Sequence, residues 1–417
     1  MSYNVNRAIL GAKEFIARQK HNYRVGVTRS AANSFLINLT SQYSSIYTTE
    51  LGANSVQLGT VNAIGRGVNA LVSTPVGWLI DRYGLKRLYL LGMMLRMGGV
   101  LVYALAPDWR FLVIGTVLFY ISMRLTGTGC SVICADSVEN RDRVTAQNLC
   151  VTLSSIVSLI APLIAAHLIT LFGGLNAQGI RPLFYIRLTG HLLIFLFVAA
   201  ELREPERVRV DAQVDPDFIG DFRALLRAGG HLRRWILVSS LRALPMAMTS
   251  PFIWVFAKEM KGADQYLIGI MTMAPSLLRI LLGIPIGRMA DRIGRKKVIY
   301  LLTPLWYASS LLFVFSPNSA TLVLAATLQM FFFISSGIAS AMSIEMLPVE
   351  QVGRWSGVLG LFQGLFTIPA PILGGLIWRE LRPRYVFLIP LAIDLLFGIP
   401  LLTTIPETLG PGDEDAD

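Results

Sequence analysis

Arg124 stands inside an apolar run, with Thr128 and Ser131 following at i+4 and i+7. An arginine near the centre of a membrane-length helix costs about 2.5–3.5 kcal/mol on the insertion scale, so it marks a candidate functional site. The two hydroxyls share its helical face and extend a polar stripe suited to binding an anion or coupling a proton. Other apolar runs carry similar stripes. One has Ser34, Asn38, Gln42, Ser45 and Thr49; another has Gln329, Ser336, Ser340 and Ser343; a third has Arg242, Thr249 and Trp254. Arg66 lies near Asn62 and Asn69, and Arg96, Arg187, Arg279 and His191 also fall within long runs. Asp394 is the clearest mid-run carboxylate, readable as a proton site or as half of a buried structural pair.

The elements that position these residues follow from composition. The 417 residues are 53% hydrophobic and 15% charged, with mean hydropathy +0.56. A soluble domain carries roughly 25% charged residues, so lipid is the expected solvent. The runs lack the alternation of barrel strands, which leaves helices as the means of satisfying the backbone in hydrocarbon. At about 20 residues per crossing, twelve helices are predicted: 29–49, 54–80, 88–106, 110–136, 144–172, 183–200, 234–257, 264–290, 298–316, 319–345, 352–377 and 384–404. The expected organisation is a basic amphipathic segment (1–28), a six-helix bundle (29–200), a polar connector (201–233), a second six-helix bundle (234–404) and an acidic tail (405–417).

A duplication unites the two halves. Gly77-x-x-x-Asp81-Arg82-x-Gly84-x-Lys86-Arg87 returns 210 residues later as Gly287-x-x-x-Asp291-Arg292-x-Gly294-x-Lys296-Lys297. Ala161-Pro162-x-x-Ala165-Ala166 returns after 209 as Ala370-Pro371-x-x-Gly374-Gly375, and Asp136 returns as Glu345. Charged turns repeated in register imply two related bundles. The turns, and the stretch from Arg124 to Gly129, resemble the signature loops and the helix-four arginine motif of the major facilitator superfamily.

That resemblance implies an all-α membrane fold of two pseudo-symmetric six-helix bundles, with helices one, four, seven and ten around a cavity. The charged turns would then form a conformational latch. Asp81 is expected at the positive N-terminal end of a helix of the other half or paired with Arg143, and Arg82 or Arg87 is expected to pair with Asp136 or Glu139. The mirror set is Asp291 with Arg354, and Arg292 or Arg295 with Glu345. Substrate or coupling roles are expected for Arg124, Thr128, Asn38, Gln42, Arg66, Arg242 and Gln329. Pro162, Pro371, Gly374 and Gly375 are expected to serve helix packing. Arg96 and Arg187 lie on helices that are peripheral in this fold, so snorkelling or interhelix pairing is expected of them.

The net charge of +11 is placed in alternate loops, which argues for cytoplasmic basic turns and cytoplasmic termini rather than for nucleic acid. Asn6–Arg24 reads either as a basic amphipathic segment lying on the anionic cytoplasmic leaflet or as a disordered basic tail, and it lacks the apolar core of a signal peptide. Cys130, Cys134 and Cys150 suit packing better than metal binding. No phosphate-cradling loop and no nucleophile triad is present, so neither an enzyme nor a cofactor is expected. The expected function is secondary transport of a small solute by alternating access, preferentially efflux by antiport with protons or a counter-ion, in a monomer. The alternative is uptake or exchange of an organic anion. A non-transporting receptor is remote, since residues 201–234 are too short for a signalling domain.

Overall fold

Polar and proline breaks divide several long helices of this chain. A computed structural model describes residues 15–16, 18–73, 85–138, 142–203, 230–346 and 352–408, and no strand occurs among them. In chain order the helices are α1 (His21–Asn38), α2 (Ser44–Glu50), α3 (Ser55–Ser73), α4 (Leu85–Leu105), α5 (Trp109–Ser137), α6 (Arg143–Ser158), α7 (Ala161–Leu171) and α8 (Ala177–Glu201). After the connector come α9 (Gly230–Thr249), α10 (Ile253–Lys261), α11 (Gln265–Ile293), α12 (Arg295–Phe315), α13 (Ser319–Leu328), α14 (Met330–Glu345), α15 (Val352–Thr367), α16 (Ala370–Glu380), α17 (Tyr385–Ile393) and α18 (Ile399–Thr403). A π-helical turn, Asp394–Gly398, joins α17 to α18.

The breaks recur at the repeat spacing. Pro162 and Pro371 each sit at the first turn of a helix, α7 and α16, where a missing N–H costs nothing. The first span is interrupted between α1 and α2, and its counterpart between α9 and α10 bends by 42°. Among the described residues nine helices are long and apolar enough to cross a membrane, and the bent pair makes a tenth. The remaining two of the twelve are the first span, which is broken and polar, and α3, whose continuation lies outside the described residues. Exposed side chains such as Leu193, Leu196, Leu281, Ile284, Leu396 and Phe397 cover the outside. Apolar surface on that scale is compatible with lipid and not with water.

The contacts divide the chain into two compact units: residues 1–41 with 71–212, and residues 42–70 with 213–417. In this division α2 and most of α3 belong to the second unit. The reason is close backbone packing. A side chain on Gly375 would lie 2.4 Å from the Ser55 carbonyl, and one on Gly59 would lie 2.2 Å from the Pro371 carbonyl. Ser55 Oγ also donates to the Gly375 carbonyl at 3.0 Å. Lys258 pairs with Glu50, and the Tyr43 hydroxyl donates to the Gln265 carbonyl at 3.0 Å.

In unit 1, α4 packs along α5 and α8, while α1 packs on α6. The α4–α5 crossing is tight because a Cβ on Gly99 would come within 2.9 Å of the Gly115 carbonyl. Unit 2 is built around Trp235, Ile286, Leu302, Met342 and Trp355. The Trp355 indole N–H donates to Ser343 Oγ at 2.7 Å, which satisfies a buried donor within this apolar core.

Candidate coupling and binding sites

Unit 2 brings together a buried acid, a half-buried phenol and a half-buried guanidinium. Asp394 is fully buried at the start of the π turn, a distortion often found at functional sites. Its Oδ2 accepts from the Tyr307 hydroxyl at 2.7 Å. Gly398 makes room for the carboxylate, since a Cβ there would lie 2.3 Å from Asp394 Oδ1 and 3.5 Å from Arg242 Cγ. Arg242 is the opposite charge that acts on Asp394, and its Nη2 points to Thr303 Oγ1 at 3.4 Å. One atom of each charged group, Asp394 Oδ1 and Arg242 Nη1, is buried without a hydrogen-bond partner. One turn away, Met246, Thr249, Trp306, Gln329 and Pro390 line a cavity of about 20 Å³, room for a single water.

Unit 1 holds its polar cluster between α1, α4, α5 and α8. Arg96 donates to Asn33 Oδ1, to Ser122 Oγ at 3.0 Å and to Thr126 Oγ1 at 2.8 Å. Arg187 donates to Thr40 Oγ1 at 2.7 Å. His191 Nδ1 meets the Arg187 carbonyl at 2.7 Å, so that nitrogen carries the proton, because a carbonyl only accepts.

Several expected residues are placed by these two clusters and several are not. Arg242 joins Asp394, and Gln329 sits at the break between α13 and α14 with Nε2 3.9 Å from Met246 Sδ. Arg66 donates to Ser250 Oγ at 3.1 Å, within unit 2. Asn38 turns back onto the Ser34 carbonyl of its own helix. Gln42 is buried and Arg124 is half-buried on α5. Arg279 is exposed. Of the two alternatives for Arg96 and Arg187, interhelix pairing holds, because both side chains are enclosed among neutral polar partners from other helices. Tyr307, Thr303, Asn33, Ser122 and Thr126 escaped the sequence reading, since a lone hydroxyl or amide in an apolar run gives no signal until its partner is known.

The latch residues divide by position. Gly77, Asp81, Arg82 and Gly84 lie outside the described residues, as do the side chains of Asp136, Arg143, Arg354 and Thr128. Lys86 and Arg87 open α4. In the second turn Arg295 bonds Asp291 at 3.1 Å and also pairs with Glu345, while Arg292 is exposed. Glu407, in the segment expected to be an acidic tail, accepts from the backbone N–H groups of Arg295 and Lys296 at 3.1 and 3.0 Å. A carboxylate there complements the positive end of α12. Pro371, Gly374 and Gly375 have the packing geometry described above, and Pro162 lies buried beside the fully buried Ala165 and Ala166.

The major facilitator superfamily model matches residues 28–258 and again 235–416. The inner membrane transport protein YajR of Escherichia coli (strain K12) is 28% identical over 164 residues, 39% of this chain and 36% of that protein. The class B tetracycline resistance protein of Escherichia coli is 23% identical over 180 residues, 43% of this chain and 45% of that protein. The matched segments thus span less than half the length of these relatives. The solved structure of the nucleoside transporter NupG superposes with a TM-score of 0.75 over 92% of this chain and 99% of that one, at 15% identity, which shows a shared fold. With the family model matched across both halves and the helical repeat in place, the chain belongs to the major facilitator superfamily.

Proposed function

We propose that this chain is a secondary transporter of the cytoplasmic membrane that exports a small solute in exchange for protons, with Asp394 as the group that takes the proton. The observation that supports this most is the enclosure of Asp394 with Tyr307 and Arg242 in unit 2. A proton on Asp394 removes its attraction for Arg242, so protonation and the position of the guanidinium are linked. Such linkage lets a gradient bias two conformations, because it gives the proton a different affinity for each. The similarity to a tetracycline resistance protein supports export over import. The Arg295 ion pairs with Asp291 and Glu345 fit a latch that is made in one state and broken in the other.

The test begins with a thermal-stability screen of metabolites and antimicrobials, because a ligand of the native state raises the melting temperature. Flux of the hit is then followed in proteoliposomes. Asp394→Asn should abolish flux driven by a pH gradient while leaving solute-for-solute counterflow. An unchanged response to the gradient would end the proton role of Asp394. A second reading, anion-for-anion exchange, is favoured by the buried arginines of unit 1. It would show as counterflow insensitive to the gradient in the wild type.

A further inference from the structure

Among the described side chains of unit 1, the buried cations have no acid beside them. Arg96 is 4% exposed and Arg187 6% exposed, and Arg29 is buried close by. Both Arg29 and Arg187 act on Arg96 as like charges. The acids of unit 1 with described side chains all sit at helix ends. Asp108 caps α5, Asp142 pairs with Arg18, and Glu201 pairs with His21. The partners of Arg96 are neutral oxygens, and the one partner of Arg187 is a hydroxyl. Like charges gathered in a low-dielectric interior repel strongly unless an anion or oriented dipoles offset them.

One edge of a guanidinium is left open. Arg187 uses only Nη1; its Nε and Nη2 are enclosed and donate to nothing. Those two nitrogens form the side-on fork that takes both oxygens of a carboxylate or one spherical anion. The Phe119 ring lies 5.7 Å from the Arg187 guanidinium and 6.0 Å from that of Arg96, giving each a weak π contact but no negative charge.

The repeat sharpens the contrast. Asn33 and Arg242 stand 209 residues apart, the spacing of Pro162 and Pro371. Each belongs to the polar cluster of its own unit, between the first, third and sixth spans of that unit. In unit 2 the sixth span supplies a carboxylate, Asp394; in unit 1 it supplies a second cation, Arg187. We propose that the Nε/Nη2 fork of Arg187, with Arg96 beside it, is the binding site for a small monovalent anion, a halide or a carboxylate head group. Both nitrogens of the fork are buried, which suits a small ligand.

The full chain in detergent, held at constant ionic strength in sodium gluconate, is melted against added chloride and, separately, acetate. At least one of the two should raise the melting temperature saturably. A rise with chloride alone assigns a halide, with acetate alone a carboxylate, and with both a site for either. Arg187→Gln should abolish the rise. Arg187→Lys, which keeps the charge but loses the fork, should move the midpoint at least tenfold higher and remains informative if the glutamine variant does not fold. Arg181→Gln, whose guanidinium serves the Ala106 carbonyl elsewhere in the unit, should respond as the wild type does. No saturable rise with either anion, or an unchanged midpoint in Arg187→Lys, would overturn the site. Melting is independent of flux, so a failure of proton-driven export leaves this result standing.

Discussion

In unit 2 the guanidinium of Arg242 shares its enclosure with Asp394, whereas in unit 1 Arg96 and Arg187 share theirs with amides, hydroxyls and the Phe119 ring. The repeat runs through both, down to the prolines that restart α7 and α16. Among the described residues, one polar centre therefore has an opposite charge beside its cation and the other does not. Backbone geometry and apolar patterning survive divergence because each span must still cross lipid. Interior charge is free to change as long as its balance is met from the chain or from outside.

The largest expected effect falls on the balanced centre. Arg242→Met leaves Asp394 buried without the cation that acts on it, which should cost at most about 3–5 kcal/mol, the figure for removing one partner of a directly bonded buried pair. Adding Asp394→Leu should recover most of the loss in unfolding measurements. If the double variant is no more stable than the single one, the two charges are not balancing each other.

Unit 1 should respond in the opposite sense to an added acid. Asn33→Asp keeps the shape of the Arg96 partner and turns a hydrogen bond between a cation and a neutral amide into one between opposite charges, which should add about 1 kcal/mol or more. The melting temperature should rise, and the response to added small anions should shrink. A fall in stability would mean that unit 1 has no charge deficit to fill.

The smallest contrast concerns packing at matched positions, Gly375 and Ala166, 209 residues apart. Gly375→Ala places a methyl 2.4 Å from the Ser55 carbonyl and should cost about 1–3 kcal/mol by overpacking. Ala166→Gly should cost about 1 kcal/mol through helix propensity alone. Equal melting temperatures for the two variants would remove the close approach as the reason for glycine in unit 2.

Much of the frame was legible in the residues. The charged turns and the Ala-Pro runs recur at a fixed offset, and apolar runs of membrane length can satisfy their backbones only as helices. The site was less legible. Arg124 drew attention because a cation in lipid is costly, yet α5 leaves it half-buried. Arg96 and Arg187, for which peripheral roles were expected, form the most enclosed cationic cluster among the described residues of unit 1. The residues that surround them come from α1 and the turn after it (Asn33, Thr40) and from α5 (Ser122, Thr126), segments far apart in the chain.

By itself, then, the sequence determined that this chain is a duplicated bundle of membrane helices, because hydrophobic length and repeat spacing are one-dimensional properties. Only the tertiary structure decided which buried charges meet. Asp394 finds Tyr307 across 87 residues, and Arg187 finds Thr40 across 147. Whether a charge in a low-dielectric interior is balanced depends on separations of a few ångströms between helices, and the linear order of residues does not contain those distances.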